Sequence, residues 1–101
     1  MLYYIYILSC SADIYYIGQS HDPWERLLHH NNDDKNTFTS KHRPWLLAAV
    51  YEVGDSRAGA LKIERWIKKQ KSRNLIEKLI QPDFVLTGIL AQLVRVPHVR
   101  D

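Results

Sequence analysis

The sequence predicts an α/β fold of the α+β sandwich type, a three-stranded antiparallel sheet flanked by helices in the order ββαβαα. Three observations predict it. Two aromatic and β-branched runs are separated by a short polar stretch, a helix start follows them directly, and a third apolar run precedes two serine-capped helices.

From Leu2 to Leu8, apolar and aromatic side chains fill both alternating faces, Leu2, Tyr4, Tyr6 and Leu8 on one and Tyr3, Ile5 and Ile7 on the other. Such a strand is expected to be covered on both sides. Ser9-Cys10-Ser11-Ala12-Asp13 is small and polar, and Ile14 to Gly18 is again strand-like, so the pair reads as an antiparallel hairpin in which Tyr6 and Tyr16 share a face. Asp22-Pro23-Trp24-Glu25 starts a helix, with Asp as N-cap, Pro at the first helical position and Glu closing a capping box. That helix should run to about Asn31, with Arg26 and His30 on one stripe beside Leu27.

Asn31 to Pro44 reads as a polar loop, and Trp45 to Val53 as the third strand. Ser56 can cap a second helix running through Lys71, and Ser72 a third through Ile80, which Pro82 ends. In the second helix Ala60, Ile63, Glu64 and Ile67 share the stripe expected to face the core. A carboxylate there costs several kcal/mol (roughly) unless it is paired or holds a cation, so Glu64 requires a reason.

The 101 residues suit one domain, assigned to residues 1–82, with 83–101 expected to be a flexible tail because its apolar residues from Leu90 onward have no partner; the alternative is a terminal strand or helix using Leu90, Leu93 and Val96. Back-translation of Ala91-Gln92-Leu93-Val94-Arg95 can yield the D-arm consensus of a bacterial transfer RNA gene, which suggests that the reading frame overlaps one. Cys10 is the only cysteine, excluding an intramolecular disulfide and a cysteine-based zinc knuckle and pointing to a reducing, cytoplasmic setting. No charged leader or membrane-length apolar run is evident, so no membrane partner is expected.

The net charge of +3 matters only if it is clustered. Lys62 to Lys78 holds seven basic residues against Glu64 and Glu77, a local +5. Lys68, Lys69 and Lys71 on this stretch, with Lys41 and Arg43 at the end of the loop, are the residues expected to meet nucleic-acid phosphates; the bland alternative is a solvated helix face. A two-metal nuclease site needs several carboxylates, but Asp33 and Asp34 fall in the loop and Asp22 serves as a cap. Glu64 alone fits a single Mg²⁺ or Mn²⁺ that keeps most of its waters and completes its shell with phosphate oxygens.

Tyr4-Ile5-Tyr6 followed by Tyr16-Ile17-Gly18, then Arg26 and His30 one turn apart, then Glu64 on a later helix, resembles the GIY-YIG nuclease superfamily. The likeness covers about residues 2–80 and is nearest to small single-domain bacterial members similar to the excision-repair incision domain and to intron homing endonucleases. It implies a divalent-metal-dependent endonuclease that hydrolyses DNA to a 5′-phosphate and a 3′-hydroxyl; a single domain with no reader attached adds the expectation of low intrinsic sequence specificity, with work in repair or recombination. A protein partner that directs it to a site is also envisaged.

The resemblance makes Tyr6, Tyr16, Arg26, His30 and Glu64 the catalytic set, with Glu64 as metal ligand and Arg26 as phosphate ligand. Gly18 would keep the backbone tight beside the scissile phosphate. Either tyrosine could activate water, with Tyr6 preferred, but an unperturbed phenol near pKa 10 needs a cation to act as a base. Many excision-type members place a lysine directly after the second motif's glycine, where this chain has Gln19. The competing reading is a catalytically silent nucleic-acid-binding or repair-accessory module; a protein adaptor has only aromatic surface in its favour.

Overall fold

In a computed structural model, residues 1–33 and 37–97 are described; Asp34 of the loop and the last four residues of the expected tail lie outside them. The expected element order is present. Strand β1 (Tyr3–Cys10) and strand β2 (Tyr15–Ser20) form the hairpin, helix α1 spans Pro23–Asn32, strand β3 spans Trp45–Gly54, and helices α2 (Arg57–Lys69) and α3 (Arg73–Ile80) follow. All three N-caps form where predicted, but the expected capping box is replaced at α1, where the Asp22 amide donates to Ser20 Oγ at 3.0 Å. Asp22, Ser56 and Ser72 accept the amide hydrogens of Glu25, Gly59 and Leu75 respectively, satisfying donors that have no partner inside their helices.

The sheet order is β2-β1-β3 with a short fourth strand, β4 (Val94–Arg95), beyond β3, and all pairings are antiparallel. Both faces are covered. Ile5, Ile7 and Ile17 pack with Ile63 and Ile67 of α2 and Ile76 and Leu79 of α3, whereas Tyr6, Leu8, Trp45 and Val50 meet Trp24 and Leu27 of α1. The strand alternation therefore divides the core into two layers of side chains. No helix among the described residues is long and apolar enough to cross a membrane.

Two segments differ from the sequence expectation. Within the polar loop, a 3₁₀ turn at Thr39–Lys41 packs against α1; Thr39 is buried and its carbonyl accepts the Trp45 indole N–H at 2.8 Å. The segment expected to be a flexible tail instead folds back through a 3₁₀ helix, Gly88–Gln92, into β4. Leu90 and Leu93 are buried in the larger core layer. The Arg95 guanidinium donates to the carbonyls of Leu79, Ile80 and Gln81 at 3.1 to 3.2 Å, capping α3 from a distance.

Candidate active site

Tyr6 is directly opposite Gly18 in the hairpin, and its ring crosses that glycine. A Cβ on Gly18 would stand 2.5 Å from both Cζ and the hydroxyl oxygen of Tyr6. Gly18 has ordinary strand backbone, so the space it frees is taken by the tyrosine and not by a tight turn toward phosphate, as the sequence reading had it. Tyr16 shares that face, its ring centroid 6.4 Å from that of Tyr6.

Helix α1 brings its Arg26 and His30 to Tyr6. The Tyr6 hydroxyl is 3.0 Å from His30 Nε2, and His30 Nδ1 is 2.9 Å from the Thr39 hydroxyl. A neutral imidazole satisfies this arrangement, one nitrogen donating and the other accepting. Burial and then the neighbouring Arg26 charge lower the His30 pKa to about 4. Burial raises the Tyr6 pKa, while the adjacent Arg26 guanidinium opposes that rise. The Tyr6 hydroxyl in turn raises Arg26, so the arginine keeps its charge.

A pH prediction follows from His30. Between 6.5 and about 4 the unfolded chain takes up a proton that folded His30 refuses, so this contribution is present above pH 6.5 and is lost as pH falls toward 4. Thermal melts should lose roughly 1–2 kcal/mol of stability across that window after allowance for water reaching the ring, and His30→Asn should flatten the dependence. Histidine-selective NMR titration should place the His30 midpoint near 4.

Glu64 reaches the region from α2. Its side chain is 16% exposed and its Oε2 lies 2.7 Å from Lys68 Nζ, one turn along the helix. The stripe position thus has the partner it required. The same ammonium stands 5.6 Å from the centroid of the Tyr16 ring, at the outer strand of the sheet. Lys68, expected to face phosphate, is exposed and serves here as counter-ion to Glu64 and as a cation beside a motif tyrosine.

Among the described residues, no three His, Cys, Asp or Glu side chains gather as ligands for a metal. Glu64 by itself suits a hard cation that retains water and takes phosphate oxygens, and does not suit zinc, which seeks several nitrogen or sulfur ligands. In this structure that carboxylate is paired with Lys68.

The other expected phosphate contacts are dispersed. Lys41 is exposed on the 3₁₀ turn, and Lys69 and Lys71 are exposed at the end of α2, Lys71 with a positive φ of 48°. Arg43 is engaged within the protein, donating to the His30 carbonyl at 2.7 Å and to that of Asp33. Thr39 was not legible as a site residue, because its relation to His30 depends on how the loop returns. Phe38 was missed likewise; it is half exposed, stacks obliquely with Tyr16, and shares with Arg26, His30 and Tyr16 the wall of a cavity of about 300 Å³.

The model of the GIY-YIG catalytic domain matches residues 2–77. A structure-specific endonuclease subunit SLX1 of Ajellomyces capsulatus is 38% identical over 64 residues, covering 58% of this chain and 15% of that protein. The SLX1 of Meyerozyma guilliermondii is 36% identical over 76 residues, covering 69% of this chain and 26% of that protein. A UPF0213 protein of Streptococcus pyogenes serotype M5 is 35% identical over 71 residues, covering 70% of this chain and 76% of that protein. The chain thus spans a small part of the SLX1 relatives and most of the bacterial one. No solved structure matches it.

Proposed function

Because the chain belongs to the GIY-YIG family, we propose that it is a metal-dependent endonuclease that hydrolyses DNA phosphodiester bonds with little intrinsic sequence preference. The observation that carries this reading is the hydrogen bond between Tyr6 and His30, with Arg26 beside the same hydroxyl. Fungal relatives named structure-specific endonuclease subunits support an endonuclease activity and, as subunits, work beside a partner protein; a role in DNA repair or recombination is part of the proposal. The single free cysteine is compatible with work in the cytoplasm.

When bound at Glu64, the cation supplies Lewis-acid neutralisation of a phosphate oxygen. Arg26 binds the phosphate and stabilises the charge that grows as water attacks phosphorus and the P–O3′ bond breaks. Tyr6, after its phenol has given up its own proton to solvent, takes the proton of the attacking water as a phenolate and returns it to solvent after the cut. Its phenolate is stabilised by Arg26 and by the N–H of His30 in the tautomer whose Nδ1 accepts from Thr39. Tyr16 orients water or phosphate. The released 3′-oxygen gains a proton from solvent, leaving a 5′-phosphate on the other product.

Plasmid nicking with Mg²⁺ or Mn²⁺ tests the proposal. Glu64→Ala and Arg26→Ala should each lower the rate about 10²–10³-fold, and Tyr6→Phe comparably, while salt-dependent DNA binding persists in Glu64→Ala. A parent protein that cuts nothing, or Glu64→Ala cutting as well as the parent, overturns the enzymatic reading. The Glu64–Lys68 ion pair favours the second reading, a silent nucleic-acid-binding module, because it satisfies the carboxylate without a metal.

A further inference from the structure

A second cavity, of about 450 Å³, adjoins the site, within the size range of small-ligand sites of roughly 300–1,000 Å³. Arg26 and His29 line both it and the cavity bordered by Tyr16 and Phe38, so these two α1 side chains form the saddle between the two hollows. The new cavity adds Arg57, the first residue of α2, together with His21, Tyr3, Gln19 and Glu25. None of its walls comes from the basic stretch 62–78.

We propose that this cavity is a subsite for one nucleotide of the DNA strand, the neighbour of the phosphate held at Arg26. The lining has the mixture such a unit requires. Arg57 and Arg26 are permanent cations for backbone phosphate, and His21 adds a donor. Tyr3 offers an aromatic face for a sugar or base. The Glu25 carboxylate disfavours a bare phosphate dianion but accepts from the amino group of a base.

A strand laid over the saddle occupies both hollows, one nucleotide on each side of the scissile phosphate. Arg57 and His21 therefore carry flanking affinity that charge counting along the sequence assigned to Lys69 and Lys71. The subsite rests on the endonuclease reading for the position of the cut bond, but strand binding is independent of cutting.

The test measures anisotropy of a fluorescein-labelled oligodeoxynucleotide against salt, without divalent metal, beside plasmid nicking by the same variants. Arg57→Ala should bind about tenfold more weakly and reduce the slope of log affinity against log salt by about 1, with His21→Ala weaker in the same direction. Arg57→Lys should retain the slope because it retains the charge, which separates phosphate contact from a structural role. Lys69→Ala with Lys71→Ala should alter the slope less than Arg57→Ala. In nicking, Arg57→Ala should raise KM and leave kcat within about twofold. Unchanged binding and slope in Arg57→Ala overturn the subsite even if the parent cuts DNA. Arg57-dependent binding by a parent that never cuts overturns the endonuclease reading and leaves the subsite standing.

Discussion

Gly18→Ala is expected to abolish most DNA cutting and to lower the melting temperature, although alanine is an ordinary strand residue. The added Cβ falls 2.5 Å from Cζ and from the hydroxyl oxygen of Tyr6, and that residue is 1% exposed, with no open side into which it can retreat. Either the hairpin opens or the phenol moves. Overpacking of this kind costs about 1–3 kcal/mol. A phenol displaced by about 1 Å loses the alignment that catalysis requires, an error worth roughly 10²-fold in rate. Melts and single-turnover nicking with the purified variant check both effects. Unchanged values in both measurements mean that Tyr6 does not lie across Gly18.

Removal of residues 88–101 is expected to cost about 4 kcal/mol or more, enough to leave much of a small domain unfolded at 37 °C. Two fully packed leucines leave the core, and core Leu→Ala changes alone cost about 2–5 kcal/mol each, though neighbouring losses are not additive. The Tyr51 hydroxyl keeps its 2.7 Å bond to the Leu79 carbonyl, but the other carbonyls at the end of α3 lose Arg95. Urea titration followed by circular dichroism should show the midpoint falling sharply. Arg95→Ala should reproduce a smaller part of the loss, about 1–2 kcal/mol, because it keeps Leu90 and Leu93. A truncated chain as stable as the parent would show that the terminal segment does not pack on α3.

The elements legible in the sequence are those whose signals are local. Asp22, Ser56 and Ser72 each sit three residues before the amide they cap, so the starts of α1, α2 and α3 could be read directly. The alternation in β1 likewise announced a strand covered on both faces. Glu64 was legible as an anomaly on an apolar stripe, and its partner one turn away was available from the same spacing. Non-local relations were not legible. Leu90 and Leu93 stand at the three-residue spacing of a 3₁₀ turn, but the residues they dock onto are distant in the chain and leave no local signal beside them. Arg43 shows that charge carries no direction: beside a polar loop it reads as a phosphate contact, yet its guanidinium closes the end of α1. The family model supports the motif reading.

Strand β1 interleaves two inheritances within eight residues. Tyr4, Tyr6 and Leu8 belong to the face that carries the candidate chemistry, while Ile5 and Ile7 belong to the face that anchors α2 and α3. Divergence can therefore rewrite one track and spare the other, since a substitution at an even position leaves the odd neighbours in place. A single inserted residue permits no such independence. It would exchange the two tracks from that point onward, putting phenols where the helices need aliphatic surface and isoleucines where Arg26 and His30 need a hydroxyl. Length, more than composition, is what this strand cannot vary.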